Sequence, residues 1–136
     1  MIKILPLYKF RRLKEFSKVF KINDDTVIAY LDTIYSNKPL YPDVLVHEMV
    51  HLAQQKEHGI DNFIKRYLND KKFRLKVEGE AYIKQLNSIQ DPGLREAVLK
   101  DTINALTSGL YGKITVKEAE KLLGIKKDKL DVSKLI

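Results

Sequence analysis

The chain contains no cysteine and only three histidines in 136 residues. Without Cys there are no disulfides and no thiolate metal site. Any zinc ion would have to be held by His and carboxylate, a ligand set better suited to a catalytic centre than to a structural one. Long hydrophobic runs are also missing; no stretch approaches the about 18 consecutive apolar residues that mark a membrane span. The opening segment Met1 to Leu7 is basic and apolar, but it is too short for the apolar core of a signal peptide and lacks a small-residue cleavage site. The expectation is a cytoplasmic protein, or one released or packaged by a non-secretory route. Internal repeats, linkers and low-complexity segments are absent. The length predicts a single domain over residues 1–136, large enough to build a core without staples.

Apolar content of 44 % and charged content of 32 % are ordinary for a soluble globular protein. Net charge is +7, with basic residues at Lys9, Arg11, Arg12 and Lys14, again from Lys65 to Lys76, and again at Lys126, Lys127 and Lys129. Such a surface could meet an anionic polymer. The basic residues are spread out and often neighbour Asp or Glu, so a solvated surface is the simpler reading. Aromatic and basic residues interleave over Tyr8 to Arg12, but no named nucleic-acid motif is present, and nucleic acid is not the expected partner.

What stands out is His47-Glu48-Met49-Val50-His51, an H-E-x-x-H pattern inside the apolar segment Val44 to Ala53. With so few His, chance would produce it in only about a few per thousand chains of this composition. Residues four apart share one face of a helix, about 6 Å apart, so His47 and His51 can aim at one small cation. Imidazole nitrogen binds Zn²⁺ at about 2.0–2.1 Å. Glu48, next to the first His, can reach a water on that ion as general base. Three ionisable groups in one apolar turn are costly to bury unless a metal or another partner offsets them.

The rest of the chain reads as α+β, mostly helical, with a small hairpin or sheet before the H-E-x-x-H helix. The spacing of Phe10, Leu13, Phe16, Val19 and Phe20 predicts an amphipathic helix over residues 8–20. Thr26 to Tyr30 and Thr33 to Tyr35 predict two short strands turning near Leu31-Asp32. Such a strand pair beside the metal helix could hold an extended peptide by edge addition. Asp43 after Pro42 is expected to cap a helix running to about Lys56 and ending at His58-Gly59; Asp61 is expected to cap Asn62 to Leu68. The longest helical stretch is Lys72 to Ser88, and Asp91-Pro92-Gly93 separates it from a helix over Leu94 to Leu106. Ser108 to Gly112 is a loop. Thr115 with Glu118 has capping-box spacing, for a short helix ended by Gly124. From Lys126 a frayed basic tail is expected.

A catalytic zinc site needs one more protein ligand and a free position for water. His58 lies seven residues past His51, about 10 Å along a helix, and is too far. It reads instead as a helix-end residue near the C-terminal dipole. Val77-Glu78-Gly79-Glu80-Ala81-Tyr82 offers two carboxylates. Glu78 shares the apolar helical face with Ala81, Tyr82, Gln85 and Ile89, whereas Glu80 shares a mostly polar one with Ile83, Lys84 and Asn87. Glu78 is therefore the better ligand, with Glu80 its alternative, expected behind the ligands or in solvent. Gly79 costs up to about 1 kcal/mol in a helix relative to Ala, and close packing over the site would explain it. Tyr111, in a Gly-flanked loop, is the candidate donor to an oxyanion.

These residues carry a resemblance. H-E-x-x-H followed by Gln54-Gln55, with E-x-E-A-Y one helix later, resembles a minimal gluzincin metallopeptidase. Asn62 to Leu68 is similar to the F-x-x-R-Y segment of small bacterial and phage-encoded metallopeptidase-like proteins. Leu106 to Gly112, followed by the Glu118-Ala119 helix, resembles the phage set. The likeness covers about residues 33–123. It implies a zincin-like domain, a Zn²⁺ cofactor on His47, His51 and Glu78, and hydrolysis of a peptide or protein substrate with Glu48 as base. If the chain is phage-encoded, virion association follows as a possible setting. One departure matters: larger gluzincins place Asp four residues after the ligand Glu, where this chain has Tyr82, so another group must orient the imidazole. Three other readings stand beside hydrolysis of peptides: a zinc-binding structural or virion module with reduced catalysis, a hydrolase of peptidoglycan cross-links, and a basic nucleic-acid binder with an accidental motif.

Overall fold

A computed structural model describes residues 2–125; the basic tail expected from Lys126 lies outside them. The architecture is α+β, as the pattern predicts, with a three-stranded sheet preceding most of the helices. Strand β1 (Lys3–Leu5) leads through a 3-10 turn at Leu7–Lys9 to α1 (Leu13–Ser17), then to β2 (Val27–Tyr30) and β3 (Thr33–Ser36). The long helices follow: α2 (Pro42–His58), α3 (Ile60–Asn69), α4 (Lys71–Asn87) and α5 (Pro92–Thr107), with short α6 (Val116–Leu122) last.

In the sheet β3 is central, antiparallel to β2 and parallel to β1. The expected hairpin is present, closed at Tyr30–Thr33, with Leu31 at φ 59° in the tight turn. Gln55 of α2 holds this hairpin down. Its side-chain amide donates to Ala29 O (2.7 Å) and accepts from the Leu31 N–H (2.8 Å), which seats the β2 end against α2. Ala29 O is thus already taken on the strand edge that the hairpin reading offered to an extended peptide.

The helix expected over residues 8–20 is broken. Phe10 adopts an extended backbone (ψ 111°), and only Leu13–Ser17 forms an α-helix. The reason is tertiary. The Phe10 ring packs 5.1 Å from Phe16, 5.4 Å from Tyr30 and 5.1 Å from Tyr35, all centroid to centroid, while Asn37 accepts the Leu7 N–H at 2.9 Å. Burying this ring over the sheet outweighs the weak preference of a marginal helix.

Two expected caps are also corrected. Helix α2 begins at Pro42 with Tyr41 as its N-cap, and Asp43 makes no cap bond. Helix α3 begins directly after Gly59, whose φ of 82° lets two helices join without a loop. Asp61 sits uncapping in its first turn and meets Arg12 at 3.8 Å. Asp70 and Asp91 do cap α4 and α5, and Thr115 with Glu118 forms the capping box on α6.

Helix α4 divides two apolar clusters. On one side Phe73 and Val77 join Phe10, Phe16, Ile28, Phe63 and Ile64; on the other, Leu75 and Ile83 pack on Leu106, Ala119 and Leu123. Buried Gly79 belongs to this second contact. A Cβ there would stand 2.8 Å from Leu122 Cγ, so the glycine serves the α4–α6 approach and not the packing over the site that the helical pattern suggested. Gly79→Ala is expected to lower stability by about 1–3 kcal/mol through overpacking, even though Ala favours a helix by about 1 kcal/mol. Urea denaturation of the variant checks this; a stabilised protein would refute the close approach.

Candidate metal centre

Helices α2 and α4 pack face to face, and their shared surface carries the polar residues of the site. His47, Glu48 and His51 project from α2 and Glu78 from α4; each is less than 8 % exposed. His47 Nε2 lies 3.0 Å from Glu78 Oε1, His51 Nε2 lies 3.3 Å from the same oxygen, and the two Nε2 atoms are 3.1 Å apart. Two imidazole nitrogens and one carboxylate oxygen thus converge closely enough to hold a metal ion. His58 ends α2 away from them, its ring against Phe73 at 5.3 Å. Glu80 is exposed and does not join the cluster; it accepts from Gln54 Nε2 at 3.0 Å.

Each converging side chain has its own partner. Gln85 Oε1 stands 2.9 Å from His47 Nδ1, and Gln54 Oε1 stands 2.8 Å from His51 Nδ1. The Tyr67 hydroxyl, from α3, donates to Glu78 Oε2. The Tyr82 ring meets His47 edge-on at 4.4 Å. Gln85 and Gln54 are thus the groups that orient the two imidazoles. Gln85 was legible as a member of the Glu78 face. Tyr67, the Tyr of the F-x-x-R-Y segment, was given no role at the site by the sequence, because it enters from a different helix.

Glu48 differs from its neighbours. It is 6 % exposed, yet it accepts no hydrogen bond from the described residues. It lines a cavity of about 430 Å³ together with His47, His51 and Glu78. Phe16, Phe20, Phe63 and Tyr67 form an aromatic wall of that cavity, and Val44, Leu110 and Tyr111 also border it. Burial, followed by the charge of Glu78, raises the Glu48 carboxyl above its ordinary range, although the two imidazoles oppose this.

Tyr111 reaches the cavity, and its hydroxyl lies 2.9 Å from that of Tyr82. One hydroxyl of such a pair spends its hydrogen on the other, which leaves one O–H free to donate. Burial and the nearby Glu78 charge raise both phenols, so they stay protonated. The loop bearing Tyr111 is tied down by Arg74, 8 % exposed, which donates to the carbonyls of Tyr111 (2.9 Å), Tyr67 (2.7 Å) and Leu68 (3.0 Å).

No protein-family model, curated protein or solved structure matches the chain. Among the described residues no helix is long and apolar enough to cross a membrane.

Burial alone would lower the His51 imidazole, but the charge and hydrogen bond of Glu78 reverse this and lift it to about 9. Glu78, which burial would raise, is held well below the carboxylate range by the His51 charge and by hydrogen bonds from both imidazoles. His51 therefore contributes stability that is complete below its unfolded value of about 6.5 and is lost as pH rises through about 9. In chelator, the melting temperature is expected to fall across that window, followed by circular dichroism. A melting temperature constant across it would mean the pair is not formed.

Proposed function

We infer that the chain is a zinc-dependent metallopeptidase of the minimal gluzincin kind. One observation carries this reading: Glu48, a buried carboxylate that accepts no hydrogen bond from the described residues, faces the cavity beside a His-His-Glu cluster. A buried carboxylate left unpartnered is costly, and a general base that must meet substrate water is one reason to leave it so.

The donor set fits zinc. Tetrahedral zinc with bonds of about 2.0–2.1 Å places its donors about 3.3 Å apart. The three donor atoms here are separated by 3.0, 3.1 and 3.3 Å. His47 Nε2, His51 Nε2 and Glu78 Oε1 would hold the ion, with a fourth position toward the cavity. A bound zinc supplies an acidified water and polarises the scissile carbonyl. Glu48 takes the proton from the attacking water and returns it to the leaving amine. The free hydroxyl of the Tyr82–Tyr111 pair can donate to the developing oxyanion. The aromatic wall would accommodate an apolar part of the peptide.

Elemental analysis of protein purified without chelator is expected to find about one zinc per chain, lost in His47→Ala, His51→Ala and Glu78→Ala and kept in Glu80→Ala. Absence of zinc after reconstitution would overturn the metal reading.

Glu48→Gln is expected to keep its zinc and to lose about 10²–10⁴-fold in peptide cleavage, measured on a panel of unstructured peptides. Equal cleavage by this variant and the native chain would refute Glu48 as base. Zinc without cleavage by the native chain, on peptides or on peptidoglycan cross-links, would instead mark a binding module.

A further inference from the structure

Behind each histidine the pattern is the same: a buried glutamine, and behind the glutamine an acid. Gln85 Nε2 donates to Asp43 Oδ2 at 2.7 Å, while its Oε1 faces His47 Nδ1. Gln54 Nε2 donates to Glu80 Oε1 and to Val77 O, each at 3.0 Å, while its Oε1 faces His51 Nδ1. The two arms are crossed. Helix α2 supplies Asp43, His47, His51 and Gln54; helix α4 supplies Gln85 and Glu80.

An amide has one donating and one accepting end, whereas an ionised carboxylate only accepts. Asp43 therefore decides which end of Gln85 is NH₂, and the carbonyl end must face His47. That carbonyl needs a hydrogen from Nδ1, so Nδ1 carries a proton, and Nε2, which gives a hydrogen to Glu78 while no ion is bound, is the nitrogen left to present its lone pair to a metal. Only this tautomer leaves Nε2 able to ligate. The reasoning is identical for His51, with one difference in degree. Gln54 is pinned by a backbone carbonyl as well as by exposed Glu80, but Gln85 has Asp43 alone among the described residues. The two acids therefore differ in weight.

We propose that Asp43 is a positioning residue of the metal centre, acting through the Gln85 amide to fix the tautomer and direction of His47. This rests on the metal-centre reading and goes beyond it in naming an acid that touches neither metal nor substrate.

Zinc affinity is read by chelator competition, and site geometry by the visible absorption of the Co²⁺-loaded protein. Asp43→Ala is expected to weaken zinc binding about 10-fold or more, and Gln85→Leu by about 10–100-fold. Both are expected to alter the Co²⁺ spectrum. Asp43→Asn still offers an acceptor but no longer excludes the flipped Gln85 amide, so it is expected to recover part of the affinity lost in Asp43→Ala, although both variants remove the same charge from the helix N-terminus. The double variant Asp43→Ala with Gln85→Leu is expected to be no weaker than Gln85→Leu alone. Glu80→Ala is expected to stay close to the native affinity, since Val77 O still orients Gln54.

An unchanged affinity in Asp43→Ala would overturn the proposal, and so would a loss that persists undiminished on top of Gln85→Leu. Failure of the native chain to bind zinc or Co²⁺ would sink the metal reading instead. The relay is then decided on the metal-free protein by ¹H–¹⁵N spectra of the imidazoles. A protonated, slowly exchanging Nδ1 on His47, lost in Asp43→Ala, supports the relay; a bare Nδ1 refutes it.

Discussion

The contact between α2 and α4 is made through polar groups, and the rest of the molecule is arranged to make that tolerable. Two imidazoles, two carboxylates and two glutamines lie almost fully buried between these helices. Unpaired, any one of them would be costly to bury. Glu48 apart, each of these side chains has a hydrogen-bond partner within the same layer. No fully enclosed side-chain nitrogen or oxygen among the described residues lacks a hydrogen bond. Such a network specifies one helix register, because a slide by one residue would leave several buried groups unpaired at once.

Around this layer the apolar clusters act as a frame. The aromatic group of Phe10, Phe16, Phe63 and Tyr67 sits on the sheet side, and all of these but Phe10 also wall the cavity. The cluster of Leu106, Ala119 and Leu123 backs α4 from the opposite side, with Gly79 allowing Leu122 to come close. Between them Arg74 ties three carbonyls, two from the last turn of α3 and one from the Tyr111 loop, and makes no ion pair with a described residue. It locks the two segments that deliver Tyr67 and Tyr111.

Much of this organisation was legible in the residue order. The hairpin at Leu31-Asp32 and the capping box at Thr115 follow local rules of turn and cap chemistry, and the helices from Pro42 onward follow the periodicity and breaks of the sequence. Strand β1 was not legible. Lys3–Leu5 is three residues long, and its pairing with β3 is parallel and distant in sequence. The broken helix at Phe10 and the uncapped Asp43 and Asp61 failed for a related reason. Each residue has a plausible local role that a contact from elsewhere in the fold replaces or leaves unused.

The site divides in the same way. His47, Glu48 and His51 lie within one helical turn, so spacing alone places them together, and the face of α4 selects Glu78 over Glu80 because helical geometry separates residues two apart. Hydrogen-bond partners across elements have no such regularity. That Gln85 meets both His47 and Asp43, that Tyr67 reaches Glu78, and that Gln55 closes the β2 edge depend on how whole helices cross and turn. Periodicity along the chain determined which groups share a face. Only the packing of one face on another decided what each buried polar atom would bond, because that choice is made across a gap that the sequence does not encode locally.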